Sequence, residues 1–274
     1  MAEVEASDGI SLHAETHGDG PAVLFSCALN TTCENWRPQV EPLVAAGWRV
    51  VLWDYRGHGR SGAPDDPASY SMPQVVDDLG QVLDWAVRDE AAVLAGLSFG
   101  GLASLHFALA QPLRVRALVL AGTGPGFKKP EAQQRWQASC NRTSAFLEAK
   151  GAAVFAERAV DMTVGLHPER AAAKAAARAI AAQDARGLAH FGRRVAGLAP
   201  PVIDELSTVR APALVIRGEH DGAYARAAEV MLAKLPDAHS TTLAAAGHIL
   251  NLDEPVAFDA ALLGFLSELP ARAA

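Results

Sequence analysis

Ala91-Ala92-Val93-Leu94-Ala95-Gly96-Leu97-Ser98-Phe99-Gly100-Gly101-Leu102 decides how the chain folds. Its first five residues are a short apolar run, the pattern of a buried strand. From Ser98 to Gln111 the pattern is helical, and Pro112 stops it. Of the thirteen serines, Ser98 alone has glycine at both −2 and +2. A sharp strand-to-helix turn strains the serine backbone and crowds its neighbours, so side chains at those two positions would clash. Gly101 adds room for the helix to approach the sheet. Such a turn lifts the Ser98 hydroxyl to the carboxyl end of the strands, at a helix N-terminus whose amides favour developing negative charge. Ser98 is therefore the candidate nucleophile.

Outward from this turn, strands alternate with helices. Ala22–Ser26 is a buried strand, Trp36–Ala46 a helix closed by Gly47, and Trp48–Trp53 a strand running into the glycine-rich loop Asp54–Gly62. Ser71 caps a helix with Pro73 in its first turn and Val75, Val76, Leu79, Val82 and Leu83 at helical spacing. Val115–Leu120 is the next strand, and Ile10–His17 an early antiparallel one. This calls for an α/β fold, a mostly parallel sheet with helices on both faces. The alternation breaks after the loop Gly122–Gly126. From Pro130 to about Val209 the chain is rich in Ala, Arg, Glu and Gln, and Glu169–Ala185 is strongly helical by propensity. Sheet patterning returns at Pro212–Gly218, followed by a helix Ala223–Leu235, a strand His239–Leu243 and a final helix begun by Asp253-Glu254-Pro255. The expected organisation is a core formed by 1–124 and 210–274 with a helical cap, 125–209, inserted between them.

Half of the 274 residues are apolar, enough for one large domain without disulfides. The net charge of −7 is scattered, which argues against nucleic acid or an anionic membrane as partner. Cys27, Cys33 and Cys140 fit no zinc or redox spacing, so no metal is expected. With no secretory leader pattern and no apolar run of about 20 residues, a cytoplasmic protein is expected.

A nucleophilic serine needs a base, and the base an orienting carboxylate; in this motif they follow in the order acid, then histidine. Of nine histidines, His248 stands out: it follows Gly247 in the loop after the last strand, on the same rim as Ser98. Asp221 follows the strand Leu214–Arg217 onto that rim. Its rivals are Glu219, which comes too early in the loop, and Asp253, which is better used capping the final helix.

With these residues in hand, the chain resembles the α/β-hydrolase superfamily along nearly its whole length. The landmarks are Asp54-x-Arg56-Gly57-His58-Gly59-x-Ser61, Gly96-x-Ser98-x-Gly100-Gly101, Gly218-x-x-Asp221 and Gly247-His248. The resemblance implies that the Arg56–Ser61 loop is structural, so His58 is not counted as catalytic. Many relatives carry His-Gly ahead of the oxyanion-hole residue, where this chain has Cys27-Ala28. By position, the oxyanion donors would be the backbone amides of Leu29 and Phe99. Ser26-Cys27-Ala28-Leu29-Asn30-Thr31 is similar in part to 3-oxoadipate enol-lactonases, as is the cap segment from Arg135-Trp136 through Arg142 to Gly151.

The resemblance thus implies a serine hydrolase that cleaves a small carboxylic ester or lactone through an acyl-enzyme, without a cofactor. Leu29, Phe99 and Trp136, with Ile249 or Leu250 beside the histidine, would line a substrate pocket between the sheet rim and the cap, and Arg142 or Arg135 would pair with a substrate carboxylate. Serine at the elbow argues against haloalkane dehalogenases and epoxide hydrolases, which carry aspartate there. A cofactor-free haloperoxidase or perhydrolase, or a slowly turning hydrolase-fold receptor for small molecules, are the alternatives. The expected partner is a small molecule, and the chain a monomer or homodimer.

Overall fold

The computed structural model describes residues 2–270. Eight strands form one sheet: β1 (Ala2–Glu5), β2 (Ser11–His17), β3 (Ala22–Ser26), β4 (Arg49–Trp53), β5 (Ala92–Leu97), β6 (Val115–Ala121), β7 (Ala213–Gly218) and β8 (Ala238–Leu243). Their spatial order is β1-β2-β4-β3-β5-β6-β7-β8. β1 pairs antiparallel with β2 and β2 antiparallel with β4, and the pairings from β4 onward are parallel. The apolar runs earn their place: β3 and β5 are buried along their whole length. Each Val or Leu so covered contributes about 1.5–3 kcal/mol of transfer free energy.

The helices are α1 (Arg37–Ala45), α2 (Met72–Val87), α3 (Phe99–Ala110), α4 (Pro130–Arg158), α5 (Val160–Thr163), α6 (Ala171–Ala181), α7 (Ala185–Arg194), α8 (Gly222–Lys234), α9 (Leu250–Asp253) and α10 (Pro255–Glu268). Ser71 caps α2 by accepting from the Gln74 amide. α4 to α7 stand between β6 and β7, and α4 bends at Gly151, where φ is 83°. Among the described residues, no helix is long and apolar enough to cross a membrane.

Two local expectations need correction. The helix expected over Glu169–Ala185 ends at Ala181, and a second begins at Ala185. Asp184 starts it by accepting from the Gly187 amide at 2.8 Å, so a capping preference overrides the run of good helix formers. Asp253 does not cap the final helix; Glu254 holds that position without a side-chain bond. The Asp253 carboxylate instead accepts from the amides of Leu166 at 2.6 Å and Gly247 at 2.8 Å, tying the helical segment to the loop that carries His248.

Candidate active site

The strand order reverses at β3. The chain crosses from β3 to β4 on one side and returns to β5 on the other. Open α/β sheets bind ligands in the crevice such a reversal leaves at the carboxyl ends. The register sets Ser26 beside Gly96, so the loop carrying Leu29 and the turn carrying Ser98 leave the sheet side by side. Ser98 has φ 55° and ψ −116°, a left-handed conformation that costs a non-glycine residue about 1–3 kcal/mol. The flanking glycines are sterically required. A Cβ at Gly96 would lie 2.2 Å from the Gly100 carbonyl, and one at Gly100 would lie 2.2 Å from the Ser26 oxygen. The Ser98 amide donates to the Ala121 carbonyl at 2.9 Å, and the Thr123 hydroxyl donates to the Ser98 carbonyl.

β7 and β8 run side by side up to Gly218 and Leu243, and the loops beyond them bring Asp221 and His248 together. His248 Nδ1 lies 2.9 Å from Asp221 Oδ2, and both residues are buried. With a carboxylate on Nδ1, that nitrogen carries the proton and Nε2 is left as the acceptor. Glu219 is turned away, accepting from the Ala245 amide at 3.1 Å on the surface. Among the described residues, Ser98 Oγ pairs with the Tyr224 hydroxyl at 3.4 Å and makes no hydrogen bond to His248. A serine hydroxyl reaches a second partner by rotating about χ1, and catalytic hydrogen bonds often tighten only in the substrate complex.

The Leu29 and Phe99 amides donate to no acceptor among the described residues. The next residue, Asn30, is held in a left-handed conformation with φ 64°. Its amide donates to His58 Nε2 at 3.2 Å, and its carbonyl accepts from Gln183 Nε2 at 2.9 Å. Gln183 Oε1 in turn accepts from the Gly59 amide at 2.9 Å. His58 is thus a brace for the Leu29–Asn30 loop. Burial lowers its pKa from 6.5 to about 4, keeping the ring neutral and its Nε2 able to accept.

Above 6.5 the unfolded chain also carries neutral His58, and the contribution of the folded site is complete. As pH falls from 6.5 toward 4, the unfolded state takes up a proton that the folded site refuses, and stability drops by about 3 kcal/mol. His58→Gln, whose amide oxygen can still accept from Asn30, is expected to show a shallower loss of urea midpoint over this window than the parent. Parallel losses in the two proteins would contradict the brace.

Two chambers meet at Ser98. One of about 270 Å³ runs past Asn30, Ser139, Cys140 and Thr143 to His248. The other, of about 350 Å³, is walled by Phe99, Leu102, Phe127 and Ala227. Leu29, Trp136, Met162 and Tyr224 border both. Among the described residues, neither lining includes an Asp, Glu, Lys or Arg. A larger cavity of about 560 Å³ lies beside Ala91, Pro212 and Asp237, at the amino ends of the strands, away from Ser98.

Trp136 borders both chambers, but Arg142 and Arg135 are exposed on the outside of α4. Helix phase explains this: Trp136, Cys140 and Thr143 share one stripe at i, i+4 and i+7, and the two arginines fall off it. Ile249 and Leu250 are fully buried in the core and line neither chamber. Sequence reasoning missed Tyr224, Gln183 and the Asn30 side chain. An aromatic three residues after a rim aspartate was the available signal for the first.

Metal-type side chains come together at one further point among the described residues: His13, Glu15 and Cys33. Glu15 already accepts from Arg37 at 2.7 Å, from His13 at 3.0 Å and from Arg60, and burial pushes the Cys33 thiol up. Its charge is met by cations, so the group is an ion network between the early strands and α1.

A model of the alpha/beta hydrolase fold family matches residues 21–255. A putative carbamate hydrolase of Variovorax paradoxus is 34% identical over 271 residues, which is 95% of this chain and 97% of that protein. An epoxide hydrolase of Caballeronia sordidicola is 40% identical over 113 residues, 41% of this chain and 34% of its own length. Among solved structures, the enol-lactonase from Burkholderia xenovorans superposes with a TM-score of 0.83 at 26% identity, covering 97% of this chain and 100% of that one.

Proposed function

The chain belongs to the alpha/beta hydrolase fold family, and from that premise we propose that it is a serine hydrolase cleaving a small, uncharged carboxylic ester or lactone. The observation that carries this reading is the 2.9 Å pairing of His248 with Asp221 beside a serine on a strained turn. His248 Nε2 takes the Ser98 proton as Oγ attacks the carbonyl carbon. Asp221 holds the imidazole in the right tautomer and stabilises its charged form. The amides of Leu29 and Phe99 receive the developing oxyanion, each worth roughly 3–4 kcal/mol. His248 then protonates the leaving oxygen and activates water to release the acid. Segment 125–209 acts as the lid over this site, since Trp136, Cys140 and Met162 border the chamber that Ser98 enters.

An uncharged substrate follows from the linings. A carboxylate carried into either chamber would meet no cation, a desolvation cost of several kcal/mol. Monomethyl succinate is therefore expected to show kcat/KM about 100-fold below that of methyl butyrate. Equal values for the two would overturn the claim of an uncharged site, and no turnover of any ester would overturn the reading itself.

A second reading, hydrolysis of a carbamate, is favoured by one observation besides the 34% identity with the Variovorax paradoxus protein. Asn30 Oδ1 is buried at the first chamber with no partner among the described residues, an acceptor suited to a substrate N–H. Ethyl carbamate turned over faster than methyl butyrate would decide for it. Epoxide opening through an alkyl-enzyme ester requires a carboxylate nucleophile, and this turn carries Ser98.

A further inference from the structure

Tyr224 stands in the first turn of α8, three residues past Asp221. Its ring lies flat against the imidazole of His248, with centroids 5.0 Å apart and planes 15° from parallel. Its hydroxyl is 3.4 Å from Ser98 Oγ, and the residue borders both chambers where they meet. One side chain therefore touches the candidate base with its face and the candidate nucleophile with its tip. Stacking fixes the ring, so the hydroxyl is held on the histidine side of Ser98. The oxyanion donors Leu29 and Phe99 belong to the β3 loop and to the turn itself. Burial raises the phenol above its ordinary value, so it stays protonated and able to donate wherever the enzyme would work.

We propose that Tyr224 is a further catalytic residue: its hydroxyl holds Ser98 Oγ in the resting enzyme and then donates a hydrogen bond to the leaving oxygen of the substrate. The proposal rests on the serine-hydrolase reading above. When Oγ rotates to His248 and attacks, the Tyr224 hydroxyl loses its partner beside the reacting carbon. The Oγ–C bond forms, and the bond from carbon to the leaving oxygen breaks. The proton removed from Ser98 passes through His248 to that leaving oxygen. Tyr224 keeps its own proton throughout and stabilises the negative charge that builds before His248 delivers. The leaving oxygen is the one that needs this help, because the carbonyl oxygen has two amides of its own.

The test compares an ethyl ester and a p-nitrophenyl ester of the same acid, read as kcat/KM, in the parent and in Tyr224→Phe. Phenylalanine keeps the ring on His248 and removes only the hydroxyl, and a thermal melt checks that the variant is folded. Ethoxide is a basic leaving group and p-nitrophenoxide is not. The expected loss is about 100-fold on the ethyl ester and about 10-fold on the p-nitrophenyl ester. Equal losses on the two esters would reduce Tyr224 to a packing partner of His248 and overturn the proposal, as would no loss on either. Ser98→Ala, run alongside, separates the two levels: if it kept the parent's activity, the serine-hydrolase reading would fail first.

Discussion

Ser98→Ala is expected to lower kcat on a p-nitrophenyl ester by about 10⁶-fold while leaving the melting temperature within a few degrees of the parent. The size follows from covalent chemistry. Without Oγ no acyl-enzyme forms, and the Leu29 and Phe99 amides can only polarise a carbonyl for direct attack by water. Stability is spared because the substitution removes one oxygen whose hydrogen bond, to Tyr224, is long at 3.4 Å. The backbone strain at φ 55° stays, since alanine has the same Cβ. Initial rates with a matched thermal melt check both halves, and a loss below ten-fold would remove Ser98 from the chemistry.

Asp221→Asn is expected to cost about 10⁴-fold in kcat with the fold intact. The carboxylate accepts from His248 Nδ1 at 2.9 Å, so Nε2 is free to take a proton. An asparagine amide donates to Nδ1 and drives the proton to Nε2, which then points a donor at Ser98 and cannot act as base. Asp221 is buried, so no water readily takes over its role. A pH–rate profile measures the effect. A loss under ten-fold would transfer the orienting role to another carboxylate. Asp253 is the nearest rival in sequence, but both of its oxygens are engaged by the Leu166 and Gly247 amides.

These two expectations rest on features that local sequence made legible. Gly96 stands ahead of Ser98 because a Cβ there would strike the Gly100 backbone, a constraint that acts within five residues, whereas Gly100 answers to the Ser26 carbonyl of the neighbouring strand. β3, β5 and β6 were legible because parallel strands buried on both faces leave uninterrupted apolar runs such as Ala22–Ser26, whereas the short β1 carried no such run and was not read. Chain order and the place of each loop just past a strand led to Asp221 and His248, whose side chains meet beyond a pair of neighbouring strands. What stayed hidden depends on contacts between distant segments. Gln183, in the break between α6 and α7, donates to the Asn30 carbonyl from 153 residues away. Asp253 looked like a cap because an acidic residue just ahead of a proline usually is one, yet two amides outside α10 claim it. Arg142 was misjudged by helix phase: it lies on the same helix as Trp136 but on its outer face. The aromatic at position 224 carried no periodic signal, since its partners are His248 and Ser98 rather than its own helix.

Fluorophosphonate labelling followed by peptide mass mapping tests most directly whether Ser98 is an activated nucleophile. The predicted result is a single adduct on the peptide containing Ser98, formed in the parent and strongly slowed in Asp221→Asn. An adduct on a different residue, or none in the folded parent, would contradict it.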